Sequence, residues 1–98
     1  MFIKIHESYR NVVALCDNDL IGKKFEEGNR QLEIRESFFK GEEVDRTRAI
    51  EVLKRQVLED AAFNIVGKES VSVAEEIGMI EEGSAAEIQG VPFALVLV

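Results

Sequence analysis

The chain opens on alternation: in residues 1–6 the apolar Met1, Ile3 and Ile5 stand against Lys4 and His6, the period of a half-buried strand. Residues 11–16 form a nearly continuous apolar run, which suits a strand covered on both faces. A hairpin around residues 7–10 would put the first strand near an edge or with one face in solvent, and the second in mid-sheet. From residue 17 to 29 the pattern breaks. Asp17 suits an N-cap, while Gly22 and Gly28 interrupt any period, so a short helical turn and a loop are predicted. Residues 31–35 alternate again and predict a third strand with Leu32 and Ile34 facing inward.

From Asp45 the period changes to that of a helix, with Ala49, Ile50, Leu53, Val57, Leu58 and Ala61 on one face. A short apolar segment, residues 63–66, ends at Gly67. A second helix is predicted from Ser70 through Ile77, stopped by Gly78. Ser72 followed by Glu75 offers a capping box two residues later. The tail reads as a short strand, a turn over residues 89–92, and a last strand, residues 93–98, that is apolar throughout and must be buried or paired. This order of elements does not alternate as in a doubly wound fold. It predicts a two-layer α+β domain spanning residues 1–98, a mixed β-sheet with helices packed on one face.

Composition narrows the class. With 98 residues and 46% hydrophobic content, the chain is long enough to bury a core without disulfides or metal. Cys16 is the one cysteine, so no intramolecular disulfide or Cys/His zinc cluster is implied, and a cytoplasmic location is the expectation. No apolar run approaches the length of a membrane span. Charge is uneven: residues 1–60 carry 11 Lys/Arg against 13 Asp/Glu, whereas residues 61–98 carry only Lys68 against six acids. A polyanion would be repelled from the C-terminal third, which argues against DNA and leaves the mixed N-terminal part for any RNA contact.

An opening strand ending near HES, then VALCD, LIGKKF, a short LEI strand, NIVG before a Ser-started helix, and a closing GVPFA strand together resemble the archaeal family called domain of unknown function 424. The similarity runs over essentially the whole chain and rests on the order and spacing of short apolar pieces. It implies an archaeal source and a compact two-layer α+β fold, and brings no catalytic residues with it.

The chain's own candidates for chemistry are few. His6 and Cys16 are its imidazole and its thiol, but a tight hairpin sets His6 opposite Asn11 or Val12, and Cys16 opposite Met1 or Phe2. About 13 Å of strand then separates them, too far for a catalytic dyad. Residues 17–22 begin like a calcium loop, yet its fifth position is Ile21 and its twelfth is Gly28, where ligands belong. No metal, cofactor or catalytic set is predicted. Gly67, Lys68 and Ser70 lack the spacing of a phosphate-binding P-loop, but free N–H groups at a helix start could hold one anion. Charges on the first long helix alternate at pairing distance, as on a solvated face. A better basic cluster for RNA is Lys23, Lys24, Arg30 and Arg35, with Phe25 as a stacking ring, although four glutamates lie among them. Val91 and Phe93 at the last turn are candidates for a partner-docking tip, and the apolar last strand for pairing in a homodimer.

Three functions follow. The first is a non-catalytic binding module working with RNA or with a protein of the translation or RNA-processing machinery. The second is a small enzyme or sensor holding an anion after Gly67, and the third a structural subunit recruited through its C-terminal strand.

Overall fold

A computed structural model describes residues 1–97. The opening hairpin forms as the pattern predicts: β1 (Phe2–His6) pairs antiparallel with β2 (Val12–Cys16), with His6 opposite Val12 and Phe2 opposite Cys16. A single 3-10 turn (Asn18–Leu20) follows. Residues 24–33 then depart from the expected loop and lone strand. They fold as a separate hairpin of β3 (Lys24–Glu27) and β4 (Arg30–Glu33), closed over Gly28, whose φ of 61° suits the turn. Ile34 is fully buried just beyond β4. Two further pieces were not predicted: a one-turn helix α1 (Glu36–Phe39) and a two-residue strand β5 (Glu42–Glu43) that borders β1.

Helix α2 (Arg46–Leu58) starts where the period changes, and the Asp45 carboxylate caps it by accepting from the Arg48 N–H at 2.8 Å. Ala49 and Leu53 are fully buried, spaced one turn apart. Leu58, assigned by period to the same face, is instead exposed at the last turn, because the chain reverses through Asp60 in the left-handed region (φ 57°). Strand β6 (Ala62–Val66) lies parallel to β2, and helix α3 (Lys68–Glu76) follows at once, two residues earlier than predicted. Strands β7 (Ala86–Ile88) and β8 (Val91–Leu97) close the chain around Gln89 and Gly90, both at positive φ, the backbone of a tight type I′ turn. Val98, the end of the predicted last strand, lies outside the described residues.

The six-stranded sheet runs β5-β1-β2-β6-β8-β7. It is antiparallel except where β2 meets β6, so the fold is α+β on a mixed sheet. Strand β2 is central and apolar on both sides, as its continuous run requires. One face carries Ile3, Val13, Leu15, Phe63 and Ile65 against α2 and α3, and this is the main core. The other face is covered in part by the β3–β4 hairpin and α1, which enclose Ala14, Cys16, Ile34, Phe39 and Val66. That second, partial cover is an addition to the expected two layers, and it ends before the outer half of β8. Among the described residues no helix is long and apolar enough to cross a membrane.

Candidate functional site

The parallel strands β2 and β6 end side by side, at Cys16 and Val66, so the next residues, Asp17 and Gly67, meet at one end of the sheet. Crevices at the carboxyl ends of parallel strands are where such sheets place ligands, and a helix N-terminus adds oriented N–H donors. Here the N–H groups of Gly67, Glu69 and Ser70 are already occupied. The Asp17 carboxylate accepts from the Glu69 N–H at 3.1 Å, the Ser70 N–H at 2.8 Å and the Ser70 hydroxyl at 2.7 Å. The Gly67 N–H donates to the Pro92 carbonyl at 2.8 Å. A side chain at Gly67 would put its Cβ 2.3 Å from the Asp17 carboxyl carbon, so the absence of one is what lets the carboxylate approach. The adjoining crevice, about 200 Å³, is walled by Asp17, Asp19 and Lys68. Gly67, Lys68 and Ser70 thus come together at a helix start, but with an internal anion where an external one was expected. Asp17 caps α3 across the fold and makes no side-chain cap bond to its own 3-10 turn.

The thiol and the imidazole are apart, as their strand register requires. Cys16 is fully buried, and burial, reinforced by the negative charge of Asp17, pushes its thiol up to about 12. The ring of His6 stacks on Phe38 at 4.5 Å, and its Nε2 lies 2.9 Å from the Phe38 carbonyl. Among the described residues no group of three or more His, Cys, Asp or Glu side chains is placed to hold a metal.

The basic candidates sit on and beside the β3–β4 hairpin and are interleaved with acids. Lys24 pairs with Glu26 at 3.3 Å and Arg35 with Glu33 at 2.6 Å. Arg30 donates to the Glu87 carbonyl at 3.0 Å, with its guanidinium 6.0 Å over the Phe93 ring. Lys23 is exposed, while Phe25, the expected stacking ring, is partly buried against the second face. The Arg30 contacts fasten the hairpin to β7 and β8, and at the turn between them Gln89 Nε2 donates to the Glu26 carbonyl at 2.6 Å.

Val91 and Phe93 are likewise half-buried beneath that hairpin, so the turn does not present them as an exposed tip. The uncovered residues lie further along the same strand. Leu95 is 65% exposed and Leu97 70% exposed, on the sheet face where the hairpin and α1 stop. Beside Leu95 an apolar groove of about 330 Å³ runs between Phe93, Leu32, Phe38 and Phe39. The uniformly apolar last strand had marked this region, but its uniformity gave no sign of which side chains would be left in water.

The family model described as "Protein of unknown function (DUF424)" matches residues 6–98 of this chain. The solved structure titled "Crystal structure of an uncharacterized conserved protein from Methanopyrus kandleri" is similar throughout, with a TM-score of 0.86 at 31% identity, over 98% of this chain and 90% of that one. A search of curated proteins returned no match.

Proposed function

We propose that this chain, which belongs to the DUF424 family, is a non-catalytic binding module of the cytoplasm that docks a partner protein on the open half of its second sheet face. The carrying observation is the pair Leu95 and Leu97, two exposed leucines side by side on one strand face and continuous with the groove at Phe93 and Phe38. Moving a leucine from water into a contact yields about 1.5–3 kcal/mol, so the pair makes a substantial gross contribution to docking. The anion-site reading is less well supported, since Asp17 uses the donors on which it depends. RNA contact through Lys23, Lys24, Arg30 and Arg35 would compete with the surface ion pairs of Lys24 and Arg35 and with the Arg30 bond to the Glu87 carbonyl, and four glutamates lie among these cations.

The test is recovery of the tagged protein from its native host, with and without RNase. It compares wild type with a Leu95→Lys/Leu97→Lys variant and a Lys23→Glu/Lys24→Glu/Arg30→Glu/Arg35→Glu variant. A stoichiometric protein that survives RNase, stays with the hairpin variant and is lost from the leucine variant supports the reading. Material lost with RNase and with the hairpin variant would overturn it in favour of RNA.

A further inference from the structure

The last strand has an unfinished edge. Strand β6 pairs with β8 from Phe93 to Leu97, but on the other side β7 pairs only with Val91, Pro92 and Phe93. The hydrogen-bond phase follows from one contact. Gly67, opposite Pro92, donates to the Pro92 carbonyl, so the pairs two and four residues along, Ile65 with Ala94 and Phe63 with Val96, carry the β6 ladder bonds. Phe93, Leu95 and Leu97 therefore turn their N–H and C=O groups away from β6. At Phe93 they meet Ala86 of β7, whereas at Leu95 and Leu97 no described strand is present.

Sheet proteins usually guard such an edge with a charge, a proline or a bulge. Residues 93–97 contain no charged residue, proline or glycine. A groove of about 250 Å³ runs beside the edge, walled by Ile80, Ser84, Ala85, Ala94 and Leu95. The loop forming that wall carries exposed Glu81 and Glu82, and no described cation forms an ion pair with either. From Glu69 to Leu97 the chain has no Lys or Arg of its own. Charge complementarity thus selects the occupant. A second copy would bring the same two carboxylates and a net charge of −7, whereas a basic segment would be attracted.

Resting on the binding-module reading, we infer that the Leu95–Leu97 edge takes up an extended segment of the partner protein as an added strand. That segment carries apolar side chains over Leu95 and Leu97 and Lys or Arg towards Glu81 and Glu82. Main-chain pairing supplies affinity, and alternate side chains supply selection.

The experiment is amide hydrogen exchange by NMR on the full chain, with the probe peptide acetyl-Lys-Lys-Val-Thr-Val-Thr-Val-Lys-amide. In the free protein the Leu95 and Leu97 amides should exchange at least about tenfold faster than those of Ala94 and Val96, which bond to β6. Millimolar peptide should slow Leu95 and Leu97 by about tenfold or more. The same peptide N-methylated at its five central residues, or with Glu for Lys, should not. The variant Leu95→Pro removes the outward N–H together with the leucine side chain and leaves the bonds of Ala94 and Val96 to β6 in place; it should lose the peptide's effect at Leu97 while Ala94 and Val96 stay protected. If that variant does not fold, the comparison of the peptides on wild type carries the test alone. Equal slowing by the N-methylated peptide, no slowing at all, or concentration-dependent protection without peptide would each overturn the inference, the last by identifying a second copy as the occupant. Partner recovery that depends on Leu95 and Leu97 without protection of their amides would refute strand addition while the binding-module reading stands.

Discussion

The carboxylate of Asp17 accepts from both the N–H and the hydroxyl of Ser70, at 2.8 and 2.7 Å, tying together residues 53 positions apart. The link exists because β2 and β6 are parallel neighbours ending in register, so that the residue after one strand caps the helix after the other. The N-cap position of helix α3 is Gly67, which has no side chain to cap it, and the capping oxygen comes from across the sheet.

Replacing this carboxylate leaves the N–H groups of Glu69 and Ser70 and the buried Ser70 hydroxyl without their acceptor. Asp17→Ala should therefore cost about 1–3 kcal/mol in urea unfolding, and Asp17→Asn less, since an amide oxygen still accepts. Inorganic phosphate should stabilise Asp17→Ala more than wild type, because the vacated donors then face solvent. An equal response of the two proteins would contradict the assignment of Asp17 as the resident anion.

Gly67 and Asp17 should be energetically coupled. Gly67→Ala meets two penalties, a φ of 109° and a Cβ 2.3 Å from the Asp17 carboxyl carbon. The first persists in any background, whereas the second disappears with the carboxylate. A double-mutant cycle with Asp17→Ala should give a coupling of about 0.5–3 kcal/mol, read from urea midpoints at constant m-value.

The buried thiol makes a pH prediction. Cys16 is pushed up to about 12 in the fold, against about 8.5 in an unfolded chain. Between those values the unfolded state loses the proton while the native state keeps it. The contribution of Cys16 is thus fully present below about pH 8.5 and is lost progressively as pH rises towards 12. Wild type should lose stability with rising alkaline pH faster than Cys16→Ala, compared pairwise so that other titrating groups cancel. In the native protein at pH 8 the thiol should resist iodoacetamide until urea unfolds the chain.

Much of this fold was legible because period and burial agree. The alternation in residues 1–6, the run at residues 11–16 and the spacing of Ala49 and Leu53 each report a face that ends up in the core, except that Ile5, at the far end of β1, is exposed. The missed elements lack that signal. Strand β3 has one apolar residue, Phe25, among charges, and β5 is Glu42–Glu43, held by main-chain pairing with Phe2 and Ile3. The site was harder still. Gly67, Lys68 and Ser70 were visible as a helix start, but the partner that fills it lies 50 residues before Gly67, and only the parallel pairing of β2 with β6 brings them together. In the last strand every position is apolar, so the contrast between half-buried Phe93 and exposed Leu95 depends on where the β3–β4 hairpin stops.

That contrast can be measured as stability. Leu15 is fully buried on the helix-covered face, so Leu15→Ala should cost about 2–5 kcal/mol. Leu95→Ala should stay within about 0.5 kcal/mol of wild type, as a surface substitution does. A large loss at Leu95 in urea unfolding would mean that its side chain is covered in solution.

The most direct test of the binding-module account is site-specific photo-crosslinking in the native host, with benzoylphenylalanine placed in turn at positions 95, 97 and 58. Leu58 is 86% exposed, on a helix packed against the opposite face, and is thus a control of the same residue type and comparable exposure. The account predicts a discrete protein adduct from positions 95 and 97 and none from position 58. Adducts to RNA, or an adduct from position 58 with nothing from 95 and 97, would contradict it.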